Sequence, residues 1–153
     1  MDEAERRVLH RRLVRLLKSI YLTSLMHANI CASHARHVHT GERAARLQLH
    51  VQELRERREA AAALLAALGR ARPVTRALIH PLTRLWGRVT CLTGAEFSLH
   101  MLGNMEAQGA RLTAYAEKLA RELVDVAATE TLVKLARAEA ARKVFIVGEL
   151  ENA

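Results

Sequence analysis

With 153 residues and a formal net charge of +8, the chain is long enough for one domain with a real core, and its charge draws it toward anionic partners. Half of it is apolar, chiefly Ala and Leu, with 3% aromatics, seven Gly and two Pro, a mixture that favours helices and argues against sheets or disorder. The two cysteines, Cys31 and Cys91, form no CxxC pair, which leaves a disulfide framework or paired-cysteine zinc site unsupported.

A first long helix is predicted from near Asp2 to the region of His34 to His39, ending before Thr40-Gly41, where a cap residue meets a helix breaker. Its first residues place acids before bases and lack an apolar stretch followed by small residues, so they do not read as a secretory signal. Arg6, Arg7, Arg11, Arg12, Arg15 and Lys18 surround an apolar line of Leu9, Leu13, Leu16 and Ile20, a pattern suited to a membrane surface or a partner. The uncharged stretch 19–35 contains His, Asn, Ser and Thr and is too short and polar to span a bilayer.

A second helix should start near Gly41-Glu42 and end at Leu68-Gly69, followed by the connector Arg70-Ala71-Arg72-Pro73. Next comes a short amphipathic piece, broken by Pro81, that carries Leu78, Ile79, Leu82, Leu85 and Trp86 among Arg76, Arg84 and Arg88. Tryptophan beside arginines suits a headgroup interface. The third long helix is expected over 95–124, with Gly103 and Gly109 permitting close packing, and the fourth over 129–149, capped by Asp125 or Thr129. The expectation is an all-α fold: one domain over 1–153, a four-helix bundle with an added short amphipathic helix between the second and third long helices.

Steps of three and four residues define the inward seams. They read Leu13, Leu16, Ile20, Ser24, His27, Cys31, His34 in the first helix and Leu47, Val51, Leu54, Arg58, Ala61, Leu65, Leu68 in the second. In the third they read Leu99, Leu102, Glu106, Gly109, Thr113, Ala116, Ala120, and in the fourth Leu132, Leu135, Glu139, Arg142, Ile146. All four turn polar at mid-height. Unpaired buried charge costs several kcal/mol, so convergence at one level points to a site. His27, Cys31 and His34 also share one face at a spacing able to present ligands to zinc, copper or haem iron, with His37, His39, His100, Met101 and Met105 as further candidates.

Arg72-Pro73, Pro81-Leu82, Leu85-Trp86-Gly87 and Leu92-Thr93-Gly94 resemble the connector, membrane-lying helix and third-helix entry of the demethoxyubiquinone hydroxylases of ubiquinone biosynthesis, members of the ferritin-like di-iron group. The resemblance extends over about residues 17 to 150. It implies a ferritin-like bundle on an anionic membrane and a pocket for an isoprenoid quinone or similar lipid. In that group two helices each supply a Glu and two supply Glu-x-x-His. Carried over, Glu106 and Glu139 keep ligand-type side chains, Arg142 stands in the last histidine's place, Arg55 and Arg58 in those of the second helix, and Ser24 in that of the first. A one-residue shift would substitute Glu56 and Glu59 but would rotate the pair by about 100°. Arginine has no lone pair to offer a metal, so the expectation is no di-iron chemistry, with Arg58 and Arg142 ion-paired to Glu106 and Glu139.

The leading expectation is therefore a cytoplasmic protein, peripheral to the membrane, that holds no cofactor and binds a quinone or other hydrophobic ligand or acts as an accessory factor, with a homo-oligomer also compatible. A metal- or haem-dependent oxidoreductase using Glu106, Glu139 and His27 or Cys31, with iron or haem as the cofactor, is the alternative. A basic nucleic-acid-binding module ranks below both, because Tyr21, Trp86, Phe97, Tyr115 and Phe145 are scattered.

Overall fold

The computed structural model describes residues 1–152, which form five α-helices and no strand among the described residues. They are α1 (Glu3–His37), α2 (Gly41–Ala67), α3 (Arg76–Thr90), α4 (Ala95–Glu122) and α5 (Val126–Glu151), with a 3-10 turn, Cys91–Thr93, between α3 and α4. The Asp2 carboxylate caps α1 by accepting from the Glu5 N–H at 2.7 Å, and Asp125 caps α5 by accepting from that of Ala128 at 3.0 Å. The second cap starts α5 four residues earlier than a Thr129 cap would. It also cuts α4 short of Val124, whose positive φ of 56° turns the chain.

Packing fixes the helix directions. Leu13 and Leu17 near the start of α1 meet Ala61 and Leu65 late in α2, Ala116 and Ala120 late in α4, and Ala128 and Leu132 early in α5. At the other end Ala28, Cys31 and Ala35 meet Leu47 and Val51 early in α2, Leu102 early in α4 and Ile146 late in α5. Thus α1 and α5 run one way and α2 and α4 the other. Since α1 packs on α2 and α4, α4 on α5, and α2 on α5, every neighbour around the bundle is antiparallel. The apolar line Leu13 to Ile20 belongs to this core, so it is not available to a surface.

Between α2 and α4 the chain must return along the bundle, and α3 does this against the outside of α1. Pro81 does not break it, contrary to the expectation from sequence. Its ring stands on the exposed face, and Thr83, two residues on and on the buried face, donates to the Ile79 carbonyl at 2.8 Å. Asn29 of α1 donates to the Thr83 hydroxyl at 2.8 Å and the His80 carbonyl at 3.3 Å, pinning the helix around the proline. Gly87 permits the close approach, since a Cβ there would lie 2.9 Å from Ser33 Oγ and 3.2 Å from the Ile30 Cα. Gly87→Val should therefore destabilise the protein by about 1–3 kcal/mol through overpacking against backbone that cannot yield. Urea unfolding checks this, and an unchanged midpoint would mean that α3 is not seated here.

Candidate functional site

The two apolar clusters are separated at mid-height by a layer of buried polar groups from all four long helices. Arg57 of α2, Glu106 and Thr113 of α4, and Glu139 and Arg142 of α5 are each at most 2% exposed, with Ser24 and His27 of α1 beside them. Arg142 Nε donates to Glu106 Oε1 at 3.0 Å, and its Nη1 reaches the half-buried Glu53 at 3.3 Å. Arg57 Nε lies 2.6 Å from Glu139 Oε1, in an ion pair not aligned as a hydrogen bond. Its Nη2 instead donates to the Gly109 carbonyl at 3.0 Å and the Thr113 hydroxyl at 3.2 Å, and Thr113 donates onward to Glu139 Oε1 at 2.8 Å. Gly109 makes room for this: a Cβ would stand 2.9 Å from Arg57 Nη1.

Two guanidinium groups thus cancel two buried carboxylates. Burial pushes Glu106 up from the usual carboxylate range while Arg142 holds it down, and burial pushes Arg57 down while Glu139 holds it up. His27 Nδ1 lies 3.5 Å from Glu106 Oε2, and burial, with Arg142 and Arg57 nearby, lowers its pKa to about 3, so it sits neutral. The residues do not fit a di-iron pair. Each carboxylate already faces an arginine, and two fixed cations at the centre would repel the metals.

Of the positions singled out from sequence, Glu106, Glu139, Arg142 and Ser24 lie in this layer, where Ser24 donates to the Ile20 carbonyl at 2.6 Å. Arg58 does not: it points outward and pairs with Glu59 at 2.9 Å, and Arg55 is exposed. The partner of Glu139 is Arg57, which the seam as traced passed over. Stepping four from Leu54 selects Arg58 and stepping three selects Arg57, and both rejoin the seam at Ala61. His27, Cys31 and His34 share a face but not a site. His27 faces Glu106, the Cys31 thiol reaches the Leu47 carbonyl at 3.5 Å and is pushed up to about 12 by burial, and His34 bonds elsewhere. Among the described residues no three His, Cys, Asp or Glu side chains come together as a metal ligand set.

His34 belongs to a second buried network that joins four segments. Thr90 donates to the Trp86 carbonyl at 3.0 Å and accepts from His34 Nε2 at 2.8 Å, leaving His34 Nδ1 to accept from Ser98 Oγ at 2.5 Å. Ser98 in turn accepts from His39 Nε2 at 2.9 Å. Burial and the neighbouring His39 lower the His34 pKa to about 4, and burial and Arg43 lower that of His39. The unfolded chain takes up protons on these histidines near pH 6.5, whereas folded His34 resists until about 4. Stability should thus be full above pH 6.5 and fall as pH drops below it, by at most about 1.4 kcal/mol per pH unit for each histidine. His27 adds with the same sign, and the raised Glu106 opposes it. Urea midpoints between about pH 7.5 and 5 should show the decline, flattened in His34→Gln. A flat wild-type profile would mean that the folded and unfolded chains take up protons equally, so that burial does not shield these imidazoles.

On the outside, α3 is amphipathic the wrong way round for a bundle helix. Its buried residues are Thr83, Gly87 and Thr90, whereas Leu78 (70% exposed), Leu82 (62%), Leu85 (61%) and Trp86 (56%) face outward, flanked by the exposed Arg84 and Arg88. Val74 and Leu92 extend this stripe at its two ends. Among the described residues no helix is long and apolar enough to cross a membrane. No protein-family model matches the chain, nor does any curated protein sequence.

Proposed function

We propose that this protein is a peripheral membrane-binding bundle, divergent from the demethoxyubiquinone hydroxylases, that docks through α3 on an anionic lipid surface and acts as a binding or accessory factor for a quinone or similar hydrophobic ligand. The observation that carries the reading is the reversed amphipathicity of α3: leucines and a tryptophan are left outside while threonines and a glycine are packed inside. Such a face costs hydrophobic free energy in water and recovers it at a headgroup boundary, where Trp is favoured and arginines meet anionic lipid.

Kinship with the ferritin-like group draws support from the all-antiparallel order of the long helices, the crossover through α3 and the charged layer at the level where that group holds metal. In this layer the arginines make the centre structural. A hydrophobic ligand would enter by the open groove of about 1410 Å³ where the start of α1 meets the α4–α5 turn, which Leu13, Leu68, Leu123 and Val126 line.

Co-sedimentation with vesicles tests the membrane reading. The protein should bind vesicles containing phosphatidylglycerol, bind neutral phosphatidylcholine far less, and lose affinity as salt rises, since each nearby Lys or Arg contributes on the order of 1 kcal/mol at an anionic surface. No binding to either vesicle would sink it, and a stable dimer that buries α3 would assign the face to a second copy.

A further inference from the structure

We infer that the cleft between α1, α2 and α3 is a binding site for a phosphate group. Four arginines converge on a cavity of about 260 Å³: Arg36 from α1, Arg55 from α2, and Arg84 and Arg88 from α3, with Asn29 and Ser33 at its wall. No carboxylate lines it, and among the described residues none of the four arginines makes an ion pair. Arg43, Arg72 and Arg121 elsewhere on the surface pair with Glu149, Glu59 and Glu117, and what distinguishes the cleft is that four unpaired arginines line one cavity together.

The charge is built into the sequence. Residues 6–41 and 60–95 contain no Asp or Glu, and these tracts supply nearly all of α1 and the whole of α3, which pack side by side. The carboxylates of α2 nearest Arg55 are used elsewhere: Glu53 reaches Arg142, Glu56 accepts from Gln52, and Glu59 holds Arg58 and Arg72. Like charges gathered without a counter-ion repel, and an anion removes that repulsion. Guanidinium forks on three helices match phosphate oxygens in bidentate fashion, whereas a lone carboxylate would satisfy fewer of them. The cavity falls below the range of about 300–1,000 Å³ that holds drug-sized ligands, so it suits a phosphate or pyrophosphate group rather than a whole nucleotide. Arg84 and Arg88 also border the outward apolar stripe of α3, so the phosphate is either that of a lipid headgroup or a free one. The site rests on the arginine geometry, and only its lipid source rests on the membrane reading.

Calorimetric titration of the full chain with inorganic pyrophosphate tests this. One saturable site per chain is expected, weakened about tenfold or more in Arg55→Gln/Arg88→Gln and little changed in Arg12→Gln/Arg15→Gln, which removes equal charge from a distant part of α1. Equal weakening by both pairs means diffuse attraction and overturns the site, as does absence of saturable binding. Vesicles of matched charge then separate the sources. A preference for phosphatidic acid over phosphatidylserine that disappears in Arg55→Gln/Arg88→Gln assigns a lipid headgroup. Pyrophosphate binding with no such preference assigns a free phosphate. Pyrophosphate binding without any vesicle binding keeps the site and overturns membrane docking. Duplex DNA binding that depends on Arg55 and Arg88, with no pyrophosphate binding, overturns the inference in favour of a nucleic-acid backbone.

Discussion

Arg57→Ala is expected to cost about 3–5 kcal/mol of folding stability, read from urea unfolding, because it leaves Glu139 buried without its cation. The neighbouring Arg58→Ala should cost less than about 1 kcal/mol, since its pair with Glu59 stands at the surface. The contrast between adjacent arginines is the test: similarly small losses would place both at the surface, and a larger loss for Arg58 would reverse the rotation of α2. Arg57→Met combined with Glu139→Leu should recover most of the loss, because removing both charges also removes their desolvation. That recovery separates a stranded charge from mere loss of packing volume.

Replacing Leu82 and Trp86 together with Ser should weaken binding to acidic vesicles by about 2 kcal/mol, roughly thirtyfold, through lost apolar immersion. Both side chains are more than half exposed in the free protein, so the unfolding midpoint should barely move. Weakened vesicle binding at constant stability is the signature of a docking face. Lost stability at constant binding would instead place the two residues in the core.

Much of the architecture was legible because its punctuation is strong. Thr40-Gly41 and Leu68-Gly69 bound the first two helices as read, and the seam of α4, from Leu99 through Glu106 to Ala120, is buried at every position traced. The polar mid-height was legible too, since apolar spacing on either side of Glu106 and Glu139 fixed their direction. Arg57 was hidden by arithmetic: Glu53-Leu54-Arg55-Glu56-Arg57-Arg58-Glu59 offers three arginines, and a period of 3.6 residues allows either of two to bridge Leu54 and Ala61. Only the position of Glu139 on a helix distant in sequence decides. Pro81 misled because its local penalty is offset by Asn29, also a distant residue. The histidine network was likewise out of reach, since Ser98 and Thr90 meet His34 only after the chain has crossed back along the bundle.

The charged layer also limits how the helices can slide. Seams of Ala and Leu are nearly interchangeable from one turn to the next, so Ala61, Ala62 and Leu65 would find passable neighbours if α2 moved along its axis by a turn of about 5.4 Å. The same movement would carry Arg57 away from Glu139 and the Gly109 carbonyl and strand a cation among apolar side chains. Arg142 and Glu106 restrain α4 and α5 in the same way. The layer thus acts as a locating pin, making one vertical alignment of α2, α4 and α5 far lower in free energy than its near-copies.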